Sequence, residues 1–83
     1  MTVMYFAWVR ERVGLSREEI ELPVGVRSVS ELIGWLRTRG DGYERAFAHP
    51  DVIRTAVNQT HVKPDASLIG AHEVAFFPPV TGG

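Results

Sequence analysis

The chemistry this sequence can offer is concentrated in its last residues, Pro78-Pro79-Val80-Thr81-Gly82-Gly83. An apolar, strand-like run leads into two prolines, which stop a β ladder and hold an extended, polyproline-like course. The residues after Pro78 span roughly 17 Å when extended, at about 3.4 Å each. Gly82 and Gly83 carry no side chains, so such a tail threads a channel too narrow for any other residue and presents an α-carboxylate at its tip. The plain alternative is a frayed, glycine-rich end.

No other group competes strongly for a chemical role. The chain has no cysteine, which excludes disulfides, thiolate metal sites and a cysteine nucleophile. His49, His61 and His72 are the only histidines, and no two of them stand at i, i+4 on a helix or i, i+2 on a strand. Metal sites usually show such a close ligand pair, so solvated turn histidines are the expectation and no metal is expected. Nine Lys+Arg against ten Asp+Glu leave a net charge of -1, without the basic footprint of a nucleic-acid binder. The longest apolar-rich stretch, residues 1–9, is too short to span a bilayer and lacks the features of a signal peptide. A cytoplasmic protein without membrane association is expected. With 83 residues, 45% of them apolar, the chain makes one domain with one core. A domain this small, without metal-ligand spacing, suits a binding module or carrier better than an enzyme.

The elements that must position the tail can be read from the pattern. Residues 2–9 alternate Val3, Tyr5, Ala7 and Val9 against Met4, Phe6 and Trp8, which predicts a strand apolar on both faces. Gly14-Leu15-Ser16 reads as a turn, and residues 19–22 as the second strand of a hairpin. Ser28-Val29-Ser30-Glu31 is a capping box. Val29, Leu32, Ile33 and Leu36 then follow at helical spacing, predicting a helix over 29–39 that ends with Gly40 in a left-handed cap. A short helix over 43–48 stopped by Pro50, strands over 52–58 and 61–63, and a last strand Glu73–Phe77 complete the order β-β-α-(α)-β-β-β. One long helix across a mixed α+β sheet buries these faces. Val3, Tyr5, Leu32, Ile33, Leu36, Val57, Val74 and Phe76 are the expected core.

Glu73-Val74-Ala75-Phe76-Phe77-Pro78-Pro79-Val80-Thr81-Gly82-Gly83 resembles the C-terminal signature of the small-subunit family of molybdopterin synthase. Tyr5-Phe6-Ala7-Trp8-Val9-Arg10-Glu11 resembles that family's first strand, and Ala56-Val57-Asn58-Gln59 its central strand and turn. Ala71-His72 and His61 depart from the pattern: the family usually has Gly-Asp and an apolar residue there. The resemblance implies a ubiquitin-like β-grasp domain over residues 1–78 and an extended tail over 79–83. It implies a sulfur carrier of molybdenum-cofactor biosynthesis, acting as a sulfur-donating co-substrate rather than supplying catalysis itself. Gly83 would be adenylated by a ubiquitin-activating-type adenylyltransferase that uses ATP, then converted to a thiocarboxylate by a sulfur donor protein. Gly82, Thr81, Val80 and Pro79 would carry it into the large subunit of the synthase, where sulfur passes to cyclic pyranopterin monophosphate. No cofactor would be held by the chain.

The Met4/Phe6/Trp8 stripe reads as buried core when taken alone. On a β-grasp sheet, whose helix covers one face, Met4, Phe6, Trp8 and Phe77 would instead form a partner interface. Asn58-Gln59 reads either as partner hydrogen bonding or as a polar turn, and Arg10-Glu11-Arg12 as a solvated strand end. Two other functions share the fold and tail. One is a protein modifier forming isopeptide bonds through Gly83, which Pro78-Pro79-Val80-Thr81 and a sole lysine, Lys63, argue against. The other is a sulfur carrier for thiamine or another small molecule, expected to be shorter and to lack Phe76-Phe77-Pro78-Pro79.

Overall fold

The computed structural model describes residues 1–79. The expectations placed on Val80, Thr81, Gly82 and Gly83 lie outside the described residues.

Five strands form one mixed sheet: β1 (Thr2–Tyr5), β2 (Arg17–Glu19), β3 (Arg54–Val57), β4 (Thr60–Val62) and β5 (Glu73–Phe77). Their order is β2-β1-β5-β3-β4. The central pair β1 and β5 is parallel, with Val3 opposite Val74 and Tyr5 opposite Phe76. All other pairs are antiparallel. One face of the sheet carries Val3, Tyr5, Val74, Phe76 and Thr55, all buried. Helix α2 (Val29–Leu36) packs on that face through Val29, Leu32, Ile33 and Leu36. Phe47 completes the centre, its ring 5.0 Å from Phe76 and 6.4 Å from Tyr5 in edge-on arrangements. Aromatic rings in this geometry are favoured by their quadrupoles. Of the expected core, only Val57 is not buried: it is half-exposed on β3.

The capping box forms as its sequence dictates. The Glu31 N–H donates to Ser28 Oγ at 3.2 Å, and Glu31 Oε1 accepts from the N–H of Arg27 at 2.9 Å. The reciprocal bond thus reaches one residue beyond the cap. The helix runs on as a 3-10 turn over Arg37–Arg39. Gly40 does not close it in a left-handed cap. Its φ of 154° and ψ of 173° are glycine-only values from which α3 (Asp41–Ala46) starts directly.

The N-terminal third departs most from the alternation pattern. The first strand stops at Tyr5, and residues Ala7–Val13 form a helix, α1, between β1 and β2. The predicted hairpin is therefore two antiparallel strands joined through a helix, and its second strand is Arg17–Glu19 rather than 19–22. Residues 7–13 satisfy helical as well as strand spacing. Val9 is fully buried and Val13, one turn on, packs against the core. Arg10 and Arg12 sit in the last turn, favourable for the helix dipole. Gly14, at φ 91°, caps it by donating its N–H to Arg10 O at 2.8 Å. Arg10-Glu11-Arg12 accordingly lies on a helix and not at a strand end.

The remaining elements match in kind and differ at their edges. The short helix spans Asp41–Ala46, Pro50 opens a 3-10 turn instead of merely ending a helix, and β3 begins at Arg54. The last strand is Glu73–Phe77, as read from the sequence.

Candidate functional site

The uncovered face of the sheet is built by register. Paired residues point to the same side, so Arg17, Met4, Ala75, Ala56 and His61 form one row across all five strands. Phe77 and Arg54 form the next row. The backbone of Phe6 remains extended at φ -124° and ψ 154°, and its N–H donates to Phe76 O at 3.0 Å. Alternation therefore continues one residue beyond β1 and sets Phe6 on the Met4 side. Phe6 is 41% exposed, Met4 and Phe77 are half-buried, and Ala56 and Ala75 form a shallow floor between them. The His61 ring stands edge-on to Phe77 at 5.3 Å between centroids.

Three of the four residues read as a partner interface, Met4, Phe6 and Phe77, thus share this face. Trp8 does not. The chain turns at Ala7, a non-glycine residue at φ 52°, and the helix that follows carries Trp8 off the sheet. There it packs partly against the core, with the Arg12 guanidinium 4.3 Å from its ring centroid in a cation–π contact. Sequence reading left Ala56, His61, Arg17 and Arg54 out of the face. The alternation of Arg54, Ala56 and His61 within short strands was visible, while Arg17 fell before the predicted second strand; the common row was not visible, because pairing register is a property of the folded sheet.

The strand that frames this face also launches the tail. Phe77 pairs with Arg54, and Pro78 and Pro79 follow at once. Proline lacks the N–H that would extend the ladder, so β5 cannot pair further at that point. Pro79 is the last of the tail residues within the described range.

Asn58 and Gln59, at φ 49° and 69°, form the left-handed two-residue turn between β3 and β4. The Asn58 side chain is engaged within the domain. Its Oδ1 accepts from the N–H groups of His72 at 2.8 Å and Glu73 at 3.1 Å, and its Nδ2 donates to Gly70 O at 3.2 Å. This is the polar-turn reading, with the amide pinning the start of β5.

A second polar cluster lies on the helix side. Glu18 accepts from Tyr5 Oη at 2.8 Å, Tyr43 Oη at 2.7 Å and Arg39 Nη1 at 2.9 Å. Burial on its own pushes the Glu18 carboxyl up, but the bonds from Tyr43, Tyr5 and Arg39 outweigh it and hold the group below the usual carboxylate range. Burial, then Glu18, pushes both tyrosine hydroxyls up. The cluster ties β2 to β1, to the end of the long helix and to α3. Among the described residues, no three His, Asp or Glu side chains come together as a metal-binding group. No helix there is long and apolar enough to cross a membrane.

A family model described as the ThiS family matches residues 3–83. The chain belongs to the ThiS family. The Escherichia coli molybdopterin synthase sulfur carrier subunit is 40% identical over 81 residues, which cover 98% of this chain and 96% of that one. Among solved structures, a candidate molybdopterin converting factor, subunit 1, from Pyrococcus furiosus superposes with a TM-score of 0.71 at 34% identity, covering 95% of each chain. SAMP1 from Haloferax volcanii superposes with the same TM-score at 23% identity over 100% of this chain and 98% of its own, a likeness of fold. This ThiS-family chain therefore has the ubiquitin-like β-grasp fold that its sequence implied.

Proposed function

We propose that this chain is the sulfur carrier subunit of a molybdopterin synthase. The observation that carries the reading is the 40% identity to the Escherichia coli sulfur carrier subunit over 98% of this chain, together with the motif Pro78-Pro79-Val80-Thr81-Gly82-Gly83.

The chemistry assigned to Gly83 follows from its carboxylate. A carboxylate is a poor electrophile. An adenylyltransferase partner joins it to the α-phosphate of ATP, releasing pyrophosphate, and leaves a mixed anhydride with a good leaving group. A sulfur donor protein then delivers sulfide equivalents to the acyl carbon. The C–S bond forms as the bond to AMP breaks, giving a terminal thiocarboxylate. In the large subunit the thiocarboxylate sulfur bonds to a carbon of cyclic pyranopterin monophosphate, and water then cleaves the acyl–sulfur bond, leaving the sulfur on the pterin and returning Gly83 to the carboxylate. Gly82 provides backbone room at the channel, and Thr81, Val80 and Pro79 provide reach. The apolar sheet face around Met4, Phe6 and Phe77 seats the large subunit, which fixes where the tail begins.

The test is reconstitution. ATP, the adenylyltransferase, a sulfur source, the large subunit and the pterin precursor are supplied, and molybdopterin is measured. Deleting Gly83 abolishes product while leaving the melting temperature nearly unchanged, because a chain terminus contributes few buried contacts. Phe6→Lys weakens association with the large subunit but leaves adenylation of Gly83 intact. Normal turnover by the Gly83 deletion refutes the carrier reading. Intact mass separates the carrier from a protein modifier: a carrier gains a sulfur-for-oxygen exchange, a modifier appears joined to other proteins.

A further inference from the structure

The apolar sheet face has an ionisable group set into it. His61 is exposed, lies in the same row as Ala56, Ala75 and Met4, and touches Phe77 edge-on at 5.3 Å. A neutral imidazole with one edge on an aromatic ring can be covered by an apolar partner at modest cost. An imidazolium cannot, because burying a charge without a counter-charge is expensive.

The charges around it make protonation worse for docking. On β3, Arg54 points to the same side, one strand over and two residues along, about 8 Å away between Cα atoms by sheet geometry. Lys63 follows two residues later in the chain. Arg17 closes the far end of the row on β2, and Thr60 and Gln59 beside His61 are neutral. The nearest carboxylate on this face is Glu73 of β5, two strands over and about 12 Å away by the same spacing. Glu19 stands beyond Glu73 in the same row, across Thr2, and Asp51 lines the pocket that Arg54 and Lys63 share. A proton on His61 thus adds a cation at the edge of the face where Arg54 and Lys63 already stand, with Asp51 beside those two and the strand carboxylates farther off.

We propose that His61 acts as a pH gate on this docking face, admitting the large subunit when its imidazole is neutral and resisting it when protonated. The inference rests on the reading of the face as the seat of the large subunit. Histidine is the side chain whose ordinary charge change lies between pH 5 and 8, which sets the range over which the gate is tested.

The experiment measures the dissociation constant for the purified large subunit of molybdopterin synthase by calorimetry from pH 8 to pH 5. It compares the wild type with His61→Leu and His61→Gln. Wild-type affinity is highest at pH 8 and falls toward pH 5, by at most about tenfold per pH unit, the limit for one linked proton. Both variants hold a flat profile. Repeating the titrations at pH 6 in buffers of different ionisation heat counts protons: the wild type releases them on binding and neither variant does. A flat wild-type profile, or an unchanged slope in either variant, overturns the gate. Absence of wild-type binding at pH 8 overturns the docking reading itself, and the gate with it. Thermal melts of each isolated protein across the same pH range separate loss of docking from loss of fold.

Discussion

Replacing Glu18 by Gln keeps the shape of the side chain and removes its charge. The carboxylate accepts three bonds, from two tyrosine hydroxyls and one guanidinium, and its side chain is only 13% exposed. Glutamine offers one carbonyl oxygen and a donor NH2, so it cannot accept from both sides of the cluster. Hydrogen bonds to a charged group contribute roughly 1.5–3 kcal/mol each, and leaving a buried donor unsatisfied costs about 1–3 kcal/mol. The three bonds share one acceptor group and are not additive. An overall loss of about 2–4 kcal/mol follows, a large share of the roughly 5–15 kcal/mol that holds a domain folded. The pH dependence has a definite sign. Glu18 is held below the ordinary carboxylate range, so the folded state prefers it ionised. Its contribution is complete above the unfolded value of about 4.3 and is lost as pH falls through the folded value. Urea unfolding at pH 7 shows the full gap between wild type and Glu18→Gln, and the gap narrows toward pH 3 as the wild type acquires the neutral acid. A gap that stays constant from pH 7 to pH 3, or a variant as stable as the wild type at pH 7, refutes the account.

Two further substitutions test how the elements are joined. A Cβ at Gly42 would overlap the carbonyl oxygen of Arg12, where α3 crosses α1. Gly42→Ala therefore lowers the melting temperature by about 4–16 °C, the equivalent of about 1–2 kcal/mol left after its gain in helix propensity; an unchanged or raised value refutes the close approach. Asn58→Ala loses its three bonds to Gly70, His72 and Glu73 and places an alanine at φ 49°. It destabilises by about 2–3 kcal/mol in urea unfolding, and Asn58→Gly by about 1 kcal/mol less because glycine tolerates that φ; equal losses refute the backbone share of the argument.

What the sequence made legible is what local chemistry decides. Ser28 and Glu31 announce their helix because the cap and its acceptor lie within one turn, and Glu73–Phe77 is bounded by Gly70 before it and Pro78 after it. The β1–α1 junction was hidden because both periods fit the same residues. Val3, Tyr5, Ala7 and Val9 satisfy a strand, while Val9 and Val13 with Gly14 satisfy a helix. No glycine, proline or capping side chain marks the change at Phe6 and Ala7. Tertiary packing decided it: Val9 enters the core as a helical residue. The Glu18 cluster was equally hidden, since residues 5, 18, 39 and 43 meet only after β1, β2 and the two helices have assembled. Gly42 reads in the sequence as a weak spot in a helix, and its reason is a carbonyl thirty residues away.

The misread junction bears on function as well as on fold. A strand running through residues 2–9 would have carried the apolar stripe past the end of β5 and onto Trp8. The turn at Ala7 instead ends the stripe at Phe6, level with Phe77, where the prolines end β5. Phe6 and Phe77, with Met4 behind them, are thereby gathered at the end of the sheet where β5 runs into Pro78 and Pro79. The pairing of β5 with both β1 and β3 holds that end firmly, because its last residues bond strands on either side. A partner seated on Phe6, Met4 and Phe77 then grips the strand whose next residues are Pro78 and Pro79, so docking and the placement of the tail's origin become one event. In the proposed sulfur transfer the reacting atoms must approach within about 3–3.5 Å, and a fixed origin at Pro78 and Pro79 narrows the search that such an approach requires.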